Sequence, residues 1–158
     1  MTIQNFDIYT AKGYAGDLVD SGPRVVQTGV LTDLEAGFGK AMSRDAGTVA
    51  KGVKLGGAAK VFAISQREYN HEAGVRPSTG DDTKYKQSMS VSLIRQGYLY
   101  IKLEGSNAIN AGESLHVDSV TGEFSKEAVA GDIVEATNVT ADEAGLAGDI
   151  IKVDLDIV

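Results

Sequence analysis

Three stretches in the last third of the chain repeat one pattern, a glycine turn followed by apolar side chains at alternate positions. They are Ala111-Gly112-Glu113-Ser114-Leu115-His116-Val117, Gly131-Asp132-Ile133-Val134-Glu135-Ala136-Thr137, and the run from Gly148-Asp149 to Ile157. In the last of these, Ile151, Val153, Leu155 and Ile157 fall on one face and Lys152, Asp154 and Asp156 on the other. Successive side chains of a strand point to opposite faces, so a period of two closed by turn residues specifies half-buried β-strands.

The same signature recurs upstream. Met89, Val91 and Leu93 alternate with serines, Arg95-Gln96-Gly97 marks a bend or bulge, and Leu99, Ile101 and Leu103 then alternate with Tyr98, Tyr100 and Lys102. Val25, Val26 and Val30 form a short strand, as does Val53-Lys54-Leu55, and Leu34–Met42 reads as a turn entering a strand with Phe38, Lys40 and Met42 on one side. Val61–Ser65 is a continuous apolar run, read as a buried strand. Gly122 supplies a hairpin tip between Val117 and Phe124. Gly56-Gly57-Ala58-Ala59 begins at most one helical turn, because paired glycines disfavour a longer helix. With 19 glycines and two prolines the chain is rich in tight turns. Eight to ten strands and at most one or two short helices imply an all-β fold. The expected form is a small β-barrel or β-sandwich, jelly-roll or tulip-like.

Residues 1–24 read as an extended N-terminal arm, with sparse apolar positions ending at the turn Asp20-Ser21-Gly22-Pro23. Residues 25–158 are expected to form one β-rich domain carrying a long polar loop at 66–87.

The formal net charge of −7 argues against a nucleic-acid surface and against an anionic membrane. The absence of cysteine removes disulfides, thiolate metal sites and cysteine nucleophiles. The start Met-Thr-Ile-Gln-Asn-Phe-Asp has no signal-peptide pattern, and no stretch is long and apolar enough to span a bilayer, so synthesis in a cytoplasm is expected.

Catalytic chemistry finds little support. His116 alternates with Leu115 and Val117 in a strand and reads as structural, and His71 lies in the polar loop beside Glu68 and Glu72, where contact or solvation is the simpler role. Two histidines without a fixed spacing do not make a zinc site. Asp154 and Asp156 read as a solvated strand face rather than a hydrolytic pair, and Asp81-Asp82 as a turn. Asn138-Val139-Thr140 matches the glycosylation pattern by chance. No phosphate loop or nucleophile elbow is present. No catalytic residue, metal site, cofactor or small-molecule substrate is expected.

Several segments in order carry a resemblance. They are Phe6–Gly16, Val19–Pro23, Leu34–Ala41, His71-Glu72, Val91–Ile101 with its Arg95-Gln96-Gly97-Tyr98 turn, and Gly112–Val117. Together they resemble the structural cement (capsid decoration) proteins of tailed bacteriophages. The resemblance implies a non-enzymatic virion protein that binds the outer capsid surface and bridges neighbouring major capsid protein subunits. Symmetry axes of a capsid favour a dimer or trimer of such a protein. The arm residues Ile3, Phe6, Ile8, Tyr9 and Tyr14, together with Tyr69, His71, Tyr98 and Tyr100, are the expected capsid or subunit contacts. The rival reading is a β-sandwich that binds carbohydrate or a host surface through Tyr69, Tyr98 and Tyr100. A small hydrolase or isomerase, which would need a deep pocket with perturbed acids, is the third.

Overall fold

The computed structural model describes residues 13–19, 22–47, 49–68 and 84–156. Eleven strands occupy them: β1 (Val25–Leu31), β2 (Glu35–Gly37), β3 (Ala41–Arg44), β4 (Gly52–Leu55), β5 (Ala63–Ser65), β6 (Lys84–Lys86), β7 (Ser90–Glu104), β8 (Ser114–Asp118), β9 (Phe124–Ser125), β10 (Ile133–Ala141) and β11 (Ile150–Leu155). No helix occurs among the described residues, and Gly56–Ala59 is irregular.

The fifteen-residue β7 organises the fold. Its first half pairs with β1 and β5, and its second half pairs with β11 and β9. Following the pairings gives two closed circuits of five strands that share β7. One runs β1-β4-β3-β5-β7 and the other β7-β11-β10-β8-β9. The all-β barrel expectation is met, in a doubled form.

Each circuit encloses its own core. Leu31, Met42, Val53, Ala63, Val91 and Leu93 fill the first, where Phe38 and Tyr85 meet edge to face with ring centroids 5.2 Å apart. Leu99, Ile101, Leu103, Leu115, Val117, Val139, Ile151, Val153 and Leu155 belong to the second, all with no exposed surface. Burying one such aliphatic side chain is worth about 1.5–3 kcal/mol, so the alternating stripe of β11 alone is a major stabilising element. Ala41 and Ile64 belong to the second core while their neighbours Met42 and Ala63 belong to the first. β3 and β5 are therefore buried on both faces, which accounts for the unbroken apolar run read around Val61–Ser65.

A β-bulge divides β7. Val26 pairs with Ile94 but Val25 pairs with Gln96, leaving Arg95 as an extra residue. Gly97, two residues on, has a φ of 122°, a conformation that favours glycine.

Two local expectations differ from the structure. Leu34–Met42 is not a turn entering a strand that carries Phe38, Lys40 and Met42 on one side: β2 precedes a turn at Phe38–Lys40, with Gly39 at a φ of 68°, and β3 follows it. The polar loop placed at 66–87 contains β6, which pairs with β2 through Ala36 and Tyr85. Strand pairing and burial of one tyrosine override the flanking lysines there.

Candidate functional site

The residues expected to make contacts divide into three groups. Ile3, Phe6, Ile8, Tyr9, Tyr69 and His71 lie outside the described residues. Tyr98 and Tyr100 stand on the face of β7 opposite its buried leucines and are half-buried. Tyr14 is 60% exposed.

The structure brings Tyr14, Tyr98 and Tyr100 to one seam, because residues Gly13–Val19 run along the edge of β7 as an added strand. Gly16 N–H donates to the Tyr100 carbonyl at 2.7 Å, Tyr100 N–H to Asp17 O at 2.9 Å, and Val19 N–H to Tyr98 O at 3.0 Å. Leu18 bridges Leu99 and packs against the second core. Gly13 crosses so close to the Tyr100 ring that a Cβ there would sit 2.6 Å from Cδ2. Gly22 lies beside the Tyr98 ring, where a Cβ would make an ordinary contact at 3.4 Å. The two tyrosines thus support the chain's own N-terminal segment and are not laid open as a stacking platform.

Arg67 locks the other side of the seam. Its N–H donates to Gly16 O at 2.9 Å, and its guanidinium lies 4.2 Å from the Tyr14 ring centroid. A cation over an aromatic face contributes on the order of 0.5–1 kcal/mol at an exposed site. Arg67 was not singled out by the sequence; its contacts with Gly16, Tyr14 and Phe38 arise only from the fold.

Beside the seam, the outer face of β11 carries the carboxylates weighed as a hydrolytic pair. Lys152 pairs with Asp142 at 2.5 Å and lies 5.0 Å from the Tyr98 ring centroid. The hydrogen bond to Asp142 holds the Lys152 ammonium above its ordinary pKa. Burial, and then the neighbouring Asp156 and Asp142, push the Asp154 carboxyl up, while a hydrogen bond with Tyr98 opposes them. This is a hydrogen-bonded strand face rather than a freely solvated one.

His116 is half-buried in β8, opposite Glu135 and Ser125 in register. Its Nδ1 is buried without a hydrogen-bond partner among the described residues. No cluster of three or more His, Asp or Glu side chains able to hold a metal ion occurs among the described residues. Asn138, the residue of the chance glycosylation pattern, is buried and bonded to backbone on both sides, and cannot present its amide to an enzyme.

Comparison with known proteins places this surface in context. The model of the family described as "Structural cement protein (E217 gp24/Pam3 gp6)" matches residues 3–156. No curated protein matches. Among solved structures, a chain of "The capsid of Myoviridae Phage XM1" superposes with a TM-score of 0.65 at 12% identity, covering 96% of this chain and 95% of that one. At that identity the likeness speaks for the shared fold. The family match spans both barrels and the seam, and the chain therefore belongs to the structural cement proteins of bacteriophages, a family of capsid structural proteins.

Proposed function

We propose that this protein binds the outer surface of an expanded phage capsid and bridges neighbouring major capsid protein subunits as a dimer or trimer. The observation that carries the reading is the family match across residues 3–156. The physical logic agrees with it. A copy that binds the assembled shell and not its free subunits stabilises the shell by mass action. Bridging raises the effective concentration of each second contact. Neither effect requires catalysis, nucleic acid, membrane or a small-molecule substrate. The protein is made in the host cytoplasm and ends on the virion exterior.

The arm residues Ile3, Phe6, Ile8 and Tyr9 provide contacts to a neighbour, with Tyr14 at their root and Tyr69 and His71 as further contacts. The backbone bonds of Gly16, Asp17 and Val19 to β7 support a deletion that stops at residue 12, since cutting to residue 16 also strips the seam. The glycan-binding alternative loses its main support, because Gly13 and Gly22 lie against Tyr100 and Tyr98.

The test is co-sedimentation of the purified protein with expanded capsids that lack it. Saturation at a symmetry-related copy number, with a higher temperature of capsid disruption, is the expected result. Absence of saturable binding overturns the reading.

A further inference from the structure

The first barrel is open at one seam. β1 and β4 are parallel neighbours only at Val30–Gly52 and Leu31–Val53. Toward its N-terminus β1 continues along β7, and no strand among the described residues pairs its other edge. Backbone direction alternates along a strand. Leu31 N–H bonds to Met89 next to β7, while Val30 N–H bonds to Lys51 on the β4 side. Thr28 and Val26 share the direction of Val30, so their N–H and C=O groups face the gap. Val26 is 46% exposed. An unpaired, partly apolar strand edge is a template for another strand.

The gap opens into a recess of about 130 Å³ lined by Gln27, Thr28, Arg44, Lys51, Phe62 and their neighbours. Phe62 has two guanidinium groups over its ring, Arg44 and Arg95, each 4.7 Å from the centroid. Neither arginine, nor Lys51, makes an ion pair among the described residues, although the chain carries a net charge of −7. Asp45, the acidic residue of the lining, accepts the Gly47 N–H at 3.2 Å within its own turn.

We infer that the edge of β1 and this recess together receive an extended, carboxylate-bearing segment of a coat subunit, added as a strand beside Val26 and Thr28. The free edge supplies backbone hydrogen bonds. The recess is the size of one side chain; Arg44 lines it, Arg95 lies against the Phe62 ring that lines it, and arginines held against an aromatic ring offer a carboxylate their forks with little entropy left to lose. A second copy of this chain is a poorer occupant, since it also carries −7 and the arginines are a local exception to that charge. The inference rests on the capsid-binding reading.

The test compares capsid co-sedimentation of the wild type, Thr28→Pro, Thr28→Ala, and the double variant Arg44→Glu/Arg95→Glu. The Thr28 N–H points away from β7, so proline removes the docking donor and spares the barrel ladder. Affinity is expected to fall at least tenfold for the proline and double variants and to fall less for Thr28→Ala, which keeps the backbone donor. Wild-type affinity in either the proline or the double variant overturns the inference while leaving capsid binding intact. Failure of the wild type to bind overturns both. Should Thr28→Pro not fold, as judged by circular dichroism, the surface double variant decides alone. Sedimentation velocity of the wild type and Thr28→Ala against the double variant completes the test. Self-association lost only in the double variant would assign the edge to a second copy and overturn the coat segment.

Discussion

Asn138 of β10 ties together two segments that no strand ladder joins. Its Oδ1 accepts the Val61 N–H at 2.8 Å, and its Nδ2 donates to Val61 O at 3.0 Å and to Asp156 O at 3.1 Å. The side chain, 8% exposed, thus fastens the connection leading into β5 onto the end of β11. Asn138→Ala removes all three bonds and leaves the buried Val61 N–H and C=O unpaired, whereas the exposed Asp156 carbonyl regains water. At about 1 kcal/mol for each net bond and somewhat more for an orphaned buried group, the loss comes to about 2–4 kcal/mol. For a domain of this size that corresponds to a fall in melting temperature of about 5–12 °C. Asn138→Asp turns a carboxylate oxygen toward two carbonyls and is expected to cost more than alanine at neutral pH. In acid the protonated carboxyl donates one bond and recovers part of that difference. The folded pKa of the new carboxyl is thereby raised, so the recovered stability is present at low pH and lost as pH rises. Urea denaturation followed by circular dichroism, at neutral and acid pH, measures both variants. A cost below about 0.5 kcal/mol for Asn138→Ala, within the range of ordinary surface substitutions, would refute the reasoning. So would an aspartate gentler than alanine at neutral pH.

Further outcomes follow from other sites. Glu127, Glu113 and Asp118 are held below their ordinary pKa values mainly by hydrogen bonds from the backbone at Ser106, Asn110 and Thr121 respectively. Their stabilisation is present at neutral pH and lost as pH falls through the carboxylate range; Glu127→Gln should flatten that acid limb in urea midpoints measured against pH. Asp154 has the opposite sign, its raised carboxyl favouring the fold in acid. Asp154→Asn should therefore raise the midpoint at neutral pH and change nothing in acid. Gly122→Ala forces a left-handed residue, φ 69°, to carry a Cβ against the Ala41 carbonyl oxygen. It should cost at least about 1–2 kcal/mol in the same denaturation assay, and a neutral result contradicts the close approach. Deleting Arg95 closes the bulge and leaves Leu99, Ile101 and Leu103 on the face they already occupy, so a cooperative urea transition should persist at a lower midpoint, and its loss would contradict the assignment of Arg95 as the extra residue.

What the sequence revealed depended on how local each determinant is. The stripes of β11 and of both halves of β7 are readable because alternation lies within one strand. Arg95-Gln96-Gly97 is readable as an irregularity, but its consequence depends on β1, β5, β9 and β11, which are distant in sequence. β6 escaped because three residues reading Lys-Tyr-Lys hold one apolar position, and only pairing with Ala36 makes a strand of them. The outward side of Tyr98 and Tyr100 was legible. Their covering was not, since the residues that cover them are glycines with no side chain to announce the contact. Arg44 and Arg95 lie far apart in the chain and meet only at Phe62.

The bulge at Arg95 explains why one strand can serve two barrels. Fifteen residues of strand extend about 50 Å, more than one small core can line. In a regular ladder running through Arg95, the side carrying Val91 and Leu93 would continue as Leu99, Ile101 and Leu103, leaving Ile94 as the one large aliphatic side chain of β7 on the other face. The inserted residue shifts the parity, so the apolar stripe crosses the sheet: Val91 and Leu93 enter the first core, while Ile94 and then Leu99, Ile101 and Leu103 enter the second. Arg95, set apart from the regular ladder by the same event, lies with its guanidinium against Phe62, and its Nε donates to the Phe62 carbonyl at 3.4 Å. One residue thus has two separable roles. Its backbone sets the topology, and its side chain places a cation beside the open edge of β1. Replacing the side chain while keeping the residue tests the second role, and inserting one residue after Gly97, which turns Leu99, Ile101 and Leu103 outward, tests the first. A glutamate at position 95 that unfolds the protein as that insertion does would show that the two roles are one.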